Sequence, residues 1–131
     1  MHGLGVNTDV NGRQQLEIQV GGEKVLEIGK PGTATASSGA ATLHRRAGKI
    51  TTEGLTTTQN SLYTLTLTNN LIKAADLVFA SVADGTNTQG TPMIETIKPA
   101  AGSVVIVLAN KHATAEALNG TLVISFFSLN G

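Results

Sequence analysis

Cysteine is absent from all 131 residues, which removes a disulfide framework, a thiolate metal site and a cysteine nucleophile together. Tryptophan is absent as well, and one Tyr and three Phe make up the aromatic complement. A stacking platform for a sugar ring or for single-stranded nucleic acid therefore has little to be built from. Charge is scarce and balanced, with nine Lys and Arg against nine Asp and Glu, 14% of the chain. Such a chain has no electrostatic footprint for a phosphate backbone or an anionic surface, so neither nucleic acid nor a membrane is expected among its partners. No basic segment followed by an apolar one opens the sequence, and the longest apolar run, Val104 to Ala109, is far too short to span a bilayer. Synthesis in the cytoplasm is the expectation.

What is present is small and β-branched. The chain is 40% apolar and carries 18 Thr and 15 Gly but only three Pro. That profile belongs to many short strands joined by tight turns, and the length allows one core with an appended arm. The texture changes near Gly39, which divides an arm over residues 1–39 from a domain over residues 40–131. In the arm, Leu16 to Val20 and Glu23 to Ile28 alternate in polarity on either side of Gly21-Gly22, the pattern of a β-hairpin. Thr33 to Gly39 reads as a small-residue linker running extended over a surface.

In the domain, strands are expected at Ala41 to Ala47, Lys49 to Glu53, Leu62 to Asn69, Asp76 to Ala83, Met93 to Lys98, Ser103 to Asn110 and Thr121 to Leu129. Ala47-Gly48, Asn69-Asn70, Asp84-Gly85, Gln89-Gly90, Ala101-Gly102 and Asn119-Gly120 supply turn chemistry between them. Asn119-Gly120-Thr121 also fits a glycosylation sequon, but a hairpin turn is the plainer reading. Ala113 to Leu118 has helical composition and room for a turn or two only. The fold class is all-β, a jelly-roll or Greek-key β-sandwich with an extended N-terminal arm containing a hairpin.

Tyr63 to Thr68 alternates strictly between apolar residues and Thr, so one face is buried and the other is wet. Leu77 to Ala80 and Val104 to Ala109 are apolar on both faces. In a two-layer sandwich the second face needs outside cover, which points to a homo-oligomer, a trimer before a dimer.

Candidate chemistry is sparse. His2, His44 and His112 have no second ligand at metal spacing and read as surface or interface residues. No Gly-x-Ser-x-Gly elbow activates a serine, and the glycines around Glu23 to Lys30 are too far apart for a phosphate loop. Asp76, Asp84, Glu95 and Glu116 could in principle supply a glycosidase pair, but the four aromatics all fall at core-like strand positions, which leaves no sugar platform. Catalysis, cofactor and metal are not expected. Arg45-Arg46 is the one concentrated charge, either a solvated pair or a dock for acidic groups of a large partner.

The segments Ala47 to Thr57, Tyr63 to Asn69, Gly85 to Pro92, Ala101 to Val107 and Leu118 to Phe126 together resemble small Thr-, Ala- and Gly-rich structural proteins of tailed bacteriophages. The resemblance spans roughly Ser38 to Phe127 and leaves the arm uncovered. It implies a non-enzymatic virion protein, foremost a capsid decoration or cement protein that binds the outer shell and bridges subunits of the major capsid protein. The alternative is a tail-fibre or receptor-binding tail component. Under this reading Leu16, Ile18, Val20, Val25, Leu26 and Ile28 of the arm would anchor on the capsid, and Arg45 and Arg46 would pair with its acidic groups.

Overall fold

The structure, a computed structural model, describes Leu4–Thr8, Gln14–Val20 and Glu23–Ile28 at the level of strand pairing and residues 30–131 in full. The fold is all-β, with no helix among the described residues. The three arm segments are strands β1, β2 and β3, forming an antiparallel sheet in the order β1-β2-β3. The rest are β4 (Gly32–Thr35), β5 (Ala40–Thr42), β6 (Ala47–Thr51), β7 (Leu62–Thr68), β8 (Leu77–Asp84), β9 (Pro92–Ala100), β10 (Ser103–Asn110) and β11 (Leu122–Leu129). They build a sandwich of two four-stranded sheets, β5-β7-β10-β9 and β4-β6-β11-β8. From β4 to β11 every connection passes to the opposite sheet except the β9–β10 hairpin. Both sheets are mixed, because β4 runs parallel to β6 and β5 parallel to β7.

Period-two alternation dictates the core. In β7, Leu65 and Leu67 point inward and are fully buried, while Thr64, Thr66 and Thr68 face out. Val104, Ile106 and Leu108 of β10 complete that layer. Facing them across the sandwich are Ile50 of β6 and Leu122, Ile124 and Phe126 of β11. Phe126 is the one buried aromatic side chain of these strands, Tyr63 of β7 packs half-buried against the core, and the rest of the core is aliphatic, as the composition demands.

Loops are tied down by buried asparagines. Asn110, with no exposed surface, donates through Nδ2 to the carbonyls of Thr57 and Glu116 at 3.0 and 2.7 Å, and its Oδ1 accepts the N–H groups of Thr91 and His112. Asn87 donates to Asp84 and to the Gln89 carbonyl and accepts from Asn119 N–H. Asn69 joins the Arg45 carbonyl to Leu71 N–H. These satisfied groups replace the hydrogen bonds that irregular backbone cannot make with itself.

Several expectations are corrected. The stretch Thr33 to Gly39 is no free linker. Gly32–Thr35 is a sheet strand, and Ser38 and Gly39, both at positive φ, make a tight turn closed by paired Ser37–Ala40 bonds. The sandwich thus begins at Gly32. Ala47-Gly48 is the start of β6 and no turn: Gly48 is there because a Cβ would sit 2.7 Å from the Gly32 carbonyl oxygen of the parallel neighbour. The strand expected to run from Ala41 to Ala47 ends at Thr42. Asn119-Gly120 lies in the β10–β11 crossover, clamped against Thr86–Thr88, and does not form a hairpin turn. Ala113 to Leu118 is irregular. β1 was not expected, because its residues are mostly polar or Gly. β2 and β3 pair antiparallel as a hairpin, and their Gly21-Gly22 turn lies outside the described residues.

Candidate interaction face

β8 and β11 lie side by side in an unbroken register from Leu77↔Leu129 to Asp84↔Leu122. Both have apolar residues at odd and even positions, so both faces of the pair are apolar. Even-numbered Val78, Ala80 and Val82 pack on the core, beside buried Leu122, Ile124 and Phe126. The odd-numbered residues form cross-strand rows on the outside: Leu77 with Leu129, Phe79 with Phe127, Ser81 with Ser125 and Ala83 with Val123. Leu77, Phe79 and Phe127 are 54%, 48% and 41% exposed, among the largest apolar side chains left in water by this chain. The two rings stack with centroids 4.8 Å apart at 19°. Stacking fixes both side chains before any partner arrives, which lowers the entropy lost on binding. Beside them is a shallow depression of about 210 Å³ lined by Phe79, Ala80, Ser81, Ser125, Phe126 and Phe127, with no titratable group in it. Its chemistry is that of a contact surface for apolar groups.

The expectation that all four aromatics occupy core positions is corrected here, since Phe79 and Phe127 face outward. Strand geometry carried the signal: consecutive Phe126 and Phe127 in one strand cannot both point inward.

A second concavity, about 410 Å³, runs along residues 53–63 and is lined by Glu53, Thr56, Thr57, Thr58, Ser61 and Tyr63. Its carboxylate is occupied: Glu53 accepts from Tyr63 Oη at 2.6 Å and from Gly39 N–H at 2.7 Å. His44 and His112 are likewise engaged, and His2 lies outside the described residues. His44 Nδ1 accepts Asn70 N–H, and His112 lies between Thr91 Oγ1 at 3.0 Å and Glu116 at 3.7 Å, the i, i+4 neighbour that corrects the expectation of no second ligand at such spacing. Among the described residues no three His, Asp or Glu side chains converge to hold a metal ion. Asp76 contacts Arg46, Asp84 contacts Asn87, Glu95 contacts Lys111 and Glu116 accepts Gly90 N–H, so these four carboxylates serve four separate local contacts.

Arg45 and Arg46 are separated in role. Arg46 donates to buried Asp76 at 3.4 Å, which makes it a structural partner rather than a free cation. Arg45 is half-buried with its stem over Gly32. In the arm the register sets Leu4, Ile18 and Leu26 in one cross-strand row and Val6, Leu16 and Ile28 in the next. Val20 pairs with Glu23, and Val25 falls at the register shift between Ile18 and Gln19. Comparisons with protein-family models, curated proteins and solved structures find no match for the chain.

Proposed function

We propose that this chain is a non-enzymatic structural protein of a tailed-phage virion, made in the host cytoplasm, that decorates the outer capsid as an oligomer and stiffens the shell by bridging capsid subunits. The observation that carries a docking role is the rigid outer row Leu77, Phe79 and Phe127, exposed on a sheet whose opposite face is core. Leaving such a row in water has a cost that contact with another surface removes. The phage setting rests on the resemblance of residues 38–127. The paired arm rows Leu4-Ile18-Leu26 and Val6-Leu16-Ile28 suit a second contact, so that one copy can bridge two capsid subunits. Each bound copy adds interface that must break before the shell ruptures.

Mixing purified protein with undecorated capsids and counting copies per particle tests this reading. Hundreds of bound copies and a higher rupture temperature are expected. A handful of copies confined to the tail would transfer the protein to a fibre or other tail component.

A further inference from the structure

The outer apolar rows end at β8, and β8 is a sheet edge. The four edges of the sandwich are β4, β5, β8 and β9. β4 and β5 run only four and three residues. β9 contains Pro92 and Pro99, Glu95 and Lys98, and a register shift opposite Val107/Leu108. Short length, proline, charge and irregularity are the devices that keep an edge from pairing with another chain. β8 has none of them. It is eight residues long, holds no proline or lysine, keeps regular register against β11 throughout and carries no charge before Asp84. On its free side no described strand hydrogen-bonds to it.

We propose that β8 pairs edge to edge with β8 of a second copy, antiparallel across a two-fold axis, joining the two β4-β6-β11-β8 sheets into one. The inference rests on reading this region as an interaction surface. A second copy fits for three reasons. Its β8 has the same length and twist. Antiparallel pairing sets odd-numbered residues opposite odd-numbered ones, so Leu77, Phe79, Ser81 and Ala83 meet the same set on the same outer face. The strand is neutral through this stretch, so nothing repels. The apolar row Phe127–Phe79 would then continue across the axis. One eight-residue edge with two large apolar side chains supplies less than the ~800 Å² per partner of a standard interface. Pairing at micromolar concentration follows, strengthened where copies are held side by side on a repeating surface. The two-fold dimer, rather than the trimer, becomes the unit of assembly.

The absence of cysteine makes the test direct. Leu77→Cys, Phe79→Cys, Ser81→Cys and Ala83→Cys are made singly in the full chain and oxidised mildly at roughly 50 μM, a concentration suited to a small interface. A disulfide-linked dimer is expected at the position nearest the axis, at least about tenfold above Thr64→Cys on the opposite sheet. Ser81→Lys should weaken dimerisation in sedimentation equilibrium by about tenfold or more with melting unchanged, and Ser81→Thr should leave it intact. An oligomer with no β8 cross-link above the Thr64→Cys level, including one in which an arm strand of another copy occupies the edge, overturns the proposal, as does a monomer at roughly 100 μM. A chain that coats capsids as a monomer sinks the pairing and leaves decoration standing; one that pairs through β8 and coats no capsid does the reverse.

Discussion

The Tyr63 hydroxyl donates to Glu53 at 2.6 Å while the other oxygen of that carboxylate accepts Gly39 N–H at 2.7 Å, so one side chain fastens the β4–β5 turn to β7. Burial, the hydrogen bond to Glu53 and its negative charge together raise the Tyr63 hydroxyl well above its ordinary 10.0. For Glu53, burial pushes the carboxyl up, but the bonds from Tyr63, its own backbone and Gly39 outweigh it and hold the group below 4.5.

Stability should therefore form a plateau with two shoulders. The Glu53 contribution is present above about pH 4.5 and is lost as pH falls through the lowered folded value; the Tyr63 contribution is present below about pH 10 and is lost as pH rises toward the raised one. Urea melts of Tyr63→Phe should show a loss of about 1 kcal/mol at neutral pH and shallower slopes at both ends. An unchanged pH profile would mean the pair is not coupled to folding.

Asp76 should produce a second acid step. Its carboxyl is held below the ordinary 3.8 first by Lys73 N–H, against burial that raises it, and then by Gly131 N–H and the Arg46 guanidinium. Its contribution is present above about pH 3.8 and disappears as pH falls through the lowered folded value. Asp76→Asn is expected to melt earlier than the parent at pH 7 and to converge with it in acid. Parallel melting curves at every pH would contradict this.

Asn110→Ala should be the most damaging polar substitution in the sandwich. It strands the N–H groups of Thr91 and His112 and the carbonyls of Thr57 and Glu116 in a buried site. A loss of about 3 kcal/mol is expected, read as a lower urea midpoint with unchanged slope. Asn110→Asp keeps the acceptor but turns carboxylate oxygen toward two carbonyls, and it should not rescue.

Two left-handed glycines should respond differently to alanine. Gly39, at φ +76°, would place a Cβ 2.7 Å from the Thr64 carbonyl oxygen, whereas Gly102, at φ +83°, has open space there. Gly102→Ala should cost about 1 kcal/mol from backbone strain alone, and Gly39→Ala should cost more than twice that. Equal melting temperatures for the two variants would contradict the close approach.

Phe79→Ser and Phe127→Ser should barely affect folding, because each ring is nearly half exposed and the pair supplies about 1 kcal/mol. Both should reduce binding of a hydrophobic dye to the native protein and lower capsid occupancy. A variant that binds dye and capsid like the parent would move the docking surface elsewhere.

Several strands could be read from residue order because alternation is a local signal. Tyr63 to Thr68 announces its buried face through side-chain period, Ser103 to Asn110 announces a strand through a β-branched apolar run without saying which face is buried, and the structure places β7 and β10 on those residues. Gly32 to Thr35 escaped because a four-residue edge strand whose alternation is only Gly and Ala against Thr buries little; β6 makes it a strand by offering it a parallel ladder. The arm's register brings Leu4 and Val6, separated by Gly5, beside Ile18 and Leu16, a contact no window of local sequence contains.

Residue order by itself determined that the protein is all-β, lacks disulfides and carries Leu77 to Ala80 and Val104 to Ala109 with apolar residues on both faces, since composition and period two are properties of the chain before it folds. Only the tertiary structure decided which of those faces becomes core. Val78 and Phe126 turn inward while Phe79 and Phe127 are left stacked in water. A sandwich has one interior, and the pairing of β8 with β11 at its edge sets the pleat that sends each residue to one side or the other.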